Sequence, residues 1–204
     1  MLSGFVTFEG IDGSGKTTVS RLVSEELRDR GHAVFLTSEP TRSWLGDAVR
    51  HAYDDDIGPI AESFLFLADR AGHVSEIREH LARGELVLCD RYVDSTYAYQ
   101  GARLIGVLPD PVRFLQRASD PWAPPADLTF LLRIPPALGL KRIEGRPRLI
   151  RFEDLAFLKK VAANYGRLAR SRRFVVLDGT RKAELVVQDV VATIGKRLTR
   201  PRPR

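Results

Sequence analysis

Residues Gly10-Ile11-Asp12-Gly13-Ser14-Gly15-Lys16-Thr17 set a glycine-rich octapeptide, ending in lysine and threonine, between an apolar run and a helical pattern. The run Gly4–Phe8 reads as a buried strand, and Val19, Leu22, Val23 and Leu27 then recur at helical spacing. A strand, a glycine-rich turn and a helix, in that order, constrain the fold more than any other feature of the chain. Together they aim successive backbone N–H groups and a helix N-terminus at one point, which suits a polyphosphate. In such a loop Lys16 reaches the outer phosphates and the Thr17 hydroxyl faces Mg²⁺.

Four more apolar runs rich in β-branched residues follow, at Ala33–Thr37, Glu85–Cys89, Leu128–Ile134 and Phe174–Leu177, with helical patterns between them. Alternating strands and helices predict a five-stranded parallel sheet covered on both faces, a three-layer α/β/α fold. Ligands then sit outside the carboxyl ends of the strands. The polar clusters Glu9–Thr18, Ser38–Ser43 and Asp90–Tyr92 all fall there.

At 204 residues, 44% hydrophobic and 28% charged, the chain reads as one domain over residues 1–198. The tail 199–204, Thr-Arg-Pro-Arg-Pro-Arg, has too little apolar content to pack and reads as a disordered basic end. A net charge of +6 suits anionic partners; nucleic acid is one, but nucleotide phosphates use the same cations. The single cysteine, Cys89, ends an apolar strand and reads as a core residue, with no disulfide framework possible. The first residues lack the basic and long apolar regions of a secretory signal, and no run approaches membrane-spanning length, so no membrane role and a cytoplasmic location are expected.

The longest helical pattern spans Ile60–Ala82, with Pro59 at its start and the solvated acidic turn Asp54-Asp55-Asp56 before it. Ile60, Phe64, Leu67, Ala71, Val74 and Leu81 trace a core stripe, which leaves Phe66, Arg70 and His73 on a neighbouring face. An aromatic followed one turn later by an arginine offers a stacking surface and a planar donor fork to a base; equally, the pair is a rim Phe and a solvated Arg. After the third strand, Asp90 is placed to anchor Mg²⁺ and Arg91 to pair with a phosphate. An ion pair closing the strand end is the competing reading. The segment Lys141–Arg151 carries five cations and one carboxylate, and Gly145 and Pro147 break the helix that Pro136–Arg142 begins. It reads as a mobile basic lid at about 142–151 closing over phosphates, or as a solvated basic loop or nucleic-acid patch.

These motifs resemble those of thymidylate kinases, a P-loop kinase family. The likeness is carried by Phe8-Glu9-Gly10-Ile11-Asp12-Gly13-Ser14-Gly15-Lys16-Thr17-Thr18, Glu39-Pro40, and Leu65-Phe66-Leu67-Ala68-Asp69-Arg70-Ala71-Gly72-His73. Asp90-Arg91-Tyr92 with Ser95 and Ala98-Tyr99-Gln100-Gly101 is its most specific block. Asp127-Leu128-Thr129 and Arg151-Phe152-Glu153 also fit, so that the likeness runs from about Phe5 to Ile194.

The resemblance implies transfer of the γ-phosphoryl group of ATP to dTMP, with Mg²⁺ required, by a homodimer. It implies that Gly10, Ile11, Asp12, Gly13, Ser14, Gly15, Lys16, Thr17 and Thr18 hold ATP and that Thr17 and Asp90 hold the metal. Phe66 would stack on thymine, Arg70 would bond the base edge, and Tyr99 and Gln100 would lie near sugar and base. Arg91 would grip the acceptor phosphate, Asp12 the sugar 3′-hydroxyl, and Glu39 would line the acceptor site, with Ser95 and Thr96 in support. No cation precedes Lys16 in the P-loop, so the lid supplies the charge: Arg146 first, then Arg142 and Arg151, with Arg148 after them. Thr41-Arg42 stand where many relatives have two glycines, and Arg42 is either a phosphate contact or surface. The segment His51–Pro59 is short. Two other functions stay open on the sequence: a kinase for another nucleoside monophosphate, and an inactive nucleotide-binding regulator with a basic nucleic-acid-binding tail.

Overall fold

A computed structural model describes residues 2–55, 57–144 and 154–198. Its centre is strand β1 (Gly4–Glu9), flanked in parallel by β3 (Leu86–Asp90) and β4 (Leu128–Arg133); β2 (Val34–Ser38) pairs with β3, and β5 (Phe174–Asp178) with β4. The order β2-β3-β1-β4-β5 is the five-stranded parallel sheet that the apolar runs predict.

Both faces of the sheet are covered, and alternation along the strands divides them. Val6 and Phe8 of β1, Leu86 and Leu88 of β3, and Leu128 and Phe130 of β4 pack with helices α1 (Lys16–Asp29) and α8 (Ala183–Leu198) through Val19, Val23, Leu27, Val190 and Ile194. Phe5, Val87 and Cys89 face the other layer, where α3 (Pro59–Ala82), α4 (Val93–Arg103) and α5 (Pro111–Ser119) supply Ile77, Val93, Tyr97 and Leu115. Leu131 and Phe174 meet α7 (Leu155–Leu168) at Leu158, Val161 and Tyr165 on that same side. Phe130, fully buried and stacked on Phe8 with ring centroids 5.7 Å apart, joins the first layer; its truncation to alanine costs about 3–5 kcal/mol. Cys89 is fully buried, as expected of a core residue.

Register sets the site. Phe8 pairs with Asp90, Ser38 with Asp90, and Glu9 with Leu131, so the carboxyl ends of β1, β2 and β3 finish at one level. Two short helices border that end: α2 (Trp44–His51), capped by Ser43 accepting from the Gly46 N–H at 3.3 Å, and α6 (Pro136–Ile143). Residues 145–153, which include Arg146, Arg148 and Arg151 of the lid expected at about 142–151, and the tail 199–204 lie outside the described residues. Among the described residues no helix is long and apolar enough to cross a membrane.

Helix α3 begins at Pro59 as expected, but its buried face is not the expected stripe. Leu67 and Val74 are buried, whereas Ile60 is 41% and Phe64 53% exposed, Ala71 is exposed, and Leu81 is half-buried. Glu62, Ser63, Asp69, Arg70 and His73 are buried instead. The physical reason is pairing. Glu39 meets Arg70 and His73, Asp69 accepts from the Thr41 N–H and hydroxyl, and Glu62 meets Gln100 and Arg103. With partners supplied, the desolvation that keeps charges outside is offset.

Candidate active site

The loop after β1 is shaped by glycines with positive φ. Gly13 (φ 77°) packs so tightly on α6 that a Cβ there would lie 2.4 Å from the Gly139 carbonyl oxygen. Gly15 (φ 94°) precedes the first turn of α1, where the Lys16 side chain is nearly buried and donates to the Ile11 carbonyl at 3.1 Å. Burial, followed by the nearby Arg91 cation, lowers the Lys16 ammonium to about 8. Ser14 Oγ is buried without a partner. Thr17 and Thr18 are exposed at the helix start, and the Thr17 hydroxyl donates to Asp90 Oδ2 at 2.5 Å.

Arg91 follows Asp90 with φ 69°, a left-handed conformation uncommon for a side chain of its size. Bonds on either side hold it: its own N–H donates to the Phe8 carbonyl at 3.0 Å, and the Tyr92 N–H donates to Glu9 Oε1 at 2.8 Å. So fixed, the guanidinium turns to the P-loop. Nη2 meets Asp12 Oδ1 at 2.5 Å, while Nη1 meets Ser95 Oγ at 3.2 Å and the Gly10 carbonyl at 3.5 Å. Tyr99 completes the arrangement, its hydroxyl donating to Asp12 Oδ2 at 2.6 Å and accepting from the Asp12 N–H at 2.9 Å.

Beside Arg91 opens a cavity of about 290 Å³ whose walls include Asp12, Phe66, Arg91, Ser95, Tyr99 and Gln100. Six residues that the family resemblance places at the acceptor thus line one space. Neither Arg70 nor Glu39 is among the lining residues. Arg70 is 1% exposed and its Nη2 is taken by Glu39 Oε2 at 2.5 Å and Thr96 Oγ1 at 2.9 Å, while Nε and Nη1 are buried without partners. The solvated alternative for Arg70 does not hold. Arg42 lines a second, open groove of about 820 Å³ that also borders Thr17 and Asp90. Asp54 and Asp55 are exposed, and the third member of that acidic turn, Asp56, lies outside the described residues; among the described residues no cluster of His, Cys, Asp or Glu is placed to hold a metal.

Of the lid cations, Arg142 is the one described. It is exposed at the end of α6, with Nη1 donating to the carbonyls of Gly13 at 3.2 Å and Gly179 at 3.0 Å, so the C-terminal end of α6 is bonded to the P-loop.

Several lining residues carry no signal in the sequence reading: Arg50, Tyr53, Glu62, Arg103 and Phe157. Glu62 is one α-helical turn before Phe66, so extending the Phe66–Arg70 face backwards finds it. Glu9 sits inside the quoted P-loop segment yet has no role there. It is fully buried, accepting from the Ser95 hydroxyl at 2.6 Å and the Tyr165 hydroxyl at 2.9 Å besides Tyr92. Burial, and the Asp94 charge after it, raise its carboxyl to about 7.

A parallel sheet with a phosphate loop after its central strand, an Asp-Arg pair after the neighbouring one and a lined cavity between them defines a P-loop nucleotide phosphotransferase. Comparison with known proteins narrows the class. Residues 8–190 match the family model for thymidylate kinase, and the chain belongs to that family. It is 41% identical to a protein of Natronomonas pharaonis over 199 residues, 96% of this chain and 99% of the relative, which is named "Probable thymidylate kinase". Relatives with the same printed name from Methanoculleus marisnigri (41% identity, 98% of each chain) and Halobacterium salinarum (42%, covering 95% of this chain and 96% of the relative) match as fully.

Proposed function

We infer that the chain transfers the γ-phosphoryl group of ATP to the 5′-phosphate of dTMP, giving dTDP and ADP. Asp12 carries this reading: the same residue belongs to the P-loop and to the wall of the aromatic-lined cavity, so a triphosphate and a base-bearing monophosphate can meet there. The P-loop amides and Lys16 hold the donor. Arg91, freed from Asp12, grips the acceptor phosphate, and Asp12 takes the sugar 3′-hydroxyl. Phe66 stacks on thymine. Arg70, one turn after Phe66 on α3 but buried and outside the cavity lining, takes the base edge in this reading only if the bound base uncovers its unpartnered Nε and Nη1. Hydrogen bonds from such donors are costly to leave unmade.

An acceptor phosphate oxygen, already ionised, bonds to the γ-phosphorus as the bond to the β–γ bridging oxygen breaks, and the electron pair leaves with ADP. No strong general base is needed. Positioning and charge neutralisation dominate such transfers. Thr17 Oγ and Asp90, whose Oδ1 is buried without a partner, form a hard-oxygen pair that fits Mg²⁺, an ion that keeps waters and phosphate oxygens as its other ligands. When bound, the ion neutralises charge on the β- and γ-phosphates. Arg146 meets the charge on the moving group, with Arg142 and Arg151 as the next candidates; an Arg146→Ala variant should lose on the order of 10³-fold in kcat while dTMP binding changes little.

The active unit in this reading is a cytoplasmic homodimer. Phe64 and Phe114, both solvent-exposed and edge-on at 6.4 Å, give α3 and α5 an apolar patch suited to a second copy. The deciding experiment is a coupled assay of dTMP, dUMP, dCMP, dGMP and AMP with Mg²⁺-ATP. Preference for dTMP is expected; preference for a purine overturns the assignments at Phe66 and Arg70. Lys16, Asp90 and Arg91 standing together favour turnover over an inactive regulator.

A further inference from the structure

We propose that Glu62 is a positioning residue that fixes the amide of Gln100 and thereby selects pyrimidines carrying a hydrogen on N3. The inference rests on the dTMP reading of the cavity and adds a residue to it. Glu62 is 3% exposed in a wall of that cavity. Its Oε1 accepts from Gln100 Nε2 at 3.2 Å, and its Oε2 from Arg103 Nη2 at 3.4 Å. A glutamine amide is nearly symmetric in shape and can turn either end to a ligand. Here it cannot turn freely. A carboxylate paired with an arginine only accepts, so the amide must give it the NH₂ group. The amide oxygen is left as the end without a protein partner among the described residues, in a side chain that lines the cavity.

The chemical consequence follows from the bases. Thymine and uracil carry N3–H, a donor, and an amide oxygen held in place accepts it. Cytosine presents a lone pair at N3, which faces that same oxygen with no hydrogen between them. Sites built around a fixed hydrogen bond reject the mismatched analogue far more strongly than apolar pockets do, because the buried polar group is left unpaired. Glu62 touches no reacting atom. Its effect passes through Gln100, and Arg103 holds the carboxylate from its other oxygen. A bland role is available, in which Glu62 merely ties α3 to α4, and the two roles differ in what they do to base preference.

The test compares kcat/KM for dTMP and dCMP in wild type, Glu62→Gln, and the exchanged pair E62Q/Q100E. A glutamine at 62 both donates and accepts, so the amide at 100 is free to reverse. The dTMP-to-dCMP ratio in E62Q should then fall by about tenfold or more, chiefly through KM, with KM for ATP unchanged. In the exchanged pair the residue at 100 only accepts and the residue at 62 donates to it, so the ratio should return toward wild type. If E62Q folds poorly, the exchanged pair decides alone: a ratio near that of wild type supports the proposal and a collapsed one overturns it. An unchanged ratio in E62Q, or equal losses for both acceptors, also overturns it and leaves Glu62 as a tie between helices. Wild type that discriminates between these acceptors while E62Q behaves identically defeats this inference alone; wild type without dTMP turnover defeats the assigned function as well.

Discussion

Burial has measurable consequences at Lys16 and at Glu9. It holds the Lys16 ammonium near 8, below its ordinary 10.5. Bound phosphates favour the charged amine, so between these values ATP binding should take up a proton, and ATP affinity should fall as pH rises past about 8. Calorimetry at pH 8.5 in buffers of different ionisation heat would read that uptake, and Lys16→Met should abolish it. For Glu9 the sign runs the other way. Its carboxyl is raised from 4.5 to about 7 in the folded chain, so between those values the folded state binds more protons than the unfolded one. Stability therefore falls as pH climbs from about 4.5 to about 7 and pays no further penalty above that. Glu9→Gln should flatten this dependence, seen as a smaller difference between denaturant midpoints at pH 5 and pH 8 than in wild type. An equal difference in both proteins would mean that Glu9 is not the group responsible. The Glu9 carboxylate also anchors Tyr92 and Ser95, so the same variant should loosen the hold on Arg91 and raise KM for the acceptor.

Between elements, α6 packs closely on the P-loop. A Cβ on Gly139 would lie 2.6 Å from the Asp12 carbonyl oxygen, and on Gly13 it would meet the Gly139 carbonyl, so neither backbone can yield without moving the other. Gly139→Ala should destabilise the fold by about 1–3 kcal/mol and weaken ATP binding more than dTMP binding, measured by thermal unfolding and titration with each nucleotide. That contact could not be read from the sequence, because nothing in a glycine within Pro136–Ile143 says which loop its bare face meets. The strands could be read to within a residue or so, since Val6, Phe8, Leu128 and Phe130 sit in short apolar runs that only a buried parallel sheet accommodates. The P-loop was legible because its chemistry is local: glycines, lysine and threonine act from adjacent positions. Helix α3 was half legible. Spacing leaves Phe66 open between a stacking residue and a rim residue, and only the family resemblance places it in the site. A helix that lines a site buries Glu62, Arg70 and His73 beside Leu67, and apolar periodicity then misleads. The partners that permit this burial, Glu39 and Gln100, stand more than thirty residues away along the chain. No window of one helix contains them.

At the scale of the whole molecule, α3 joins the acceptor site to the outer surface. It carries Glu62 and Phe66 on the cavity wall and, between them, turns Phe64 outward against Phe114 of α5. Ile60, one turn earlier, is also exposed. In the proposed dimer this patch is covered by its own copy. A two-fold interface needs only a self-complementary surface, and a patch of aromatic and branched residues meets that condition with no special pairing. Covering it would also restrain the helix whose other side receives the base, so assembly and acceptor affinity become linked through one rigid element. Wild type should therefore behave as a dimer at micromolar concentration in light scattering, and Phe64→Glu, which places a charge in the patch, should shift it to monomer. The monomer should keep its KM for ATP, because the P-loop belongs to β1 and α1, while KM for dTMP rises several-fold as α3 loses its support. A wild type that stays monomeric would remove the dimer from the proposal, and a monomeric variant with unaltered dTMP kinetics would uncouple assembly from the site.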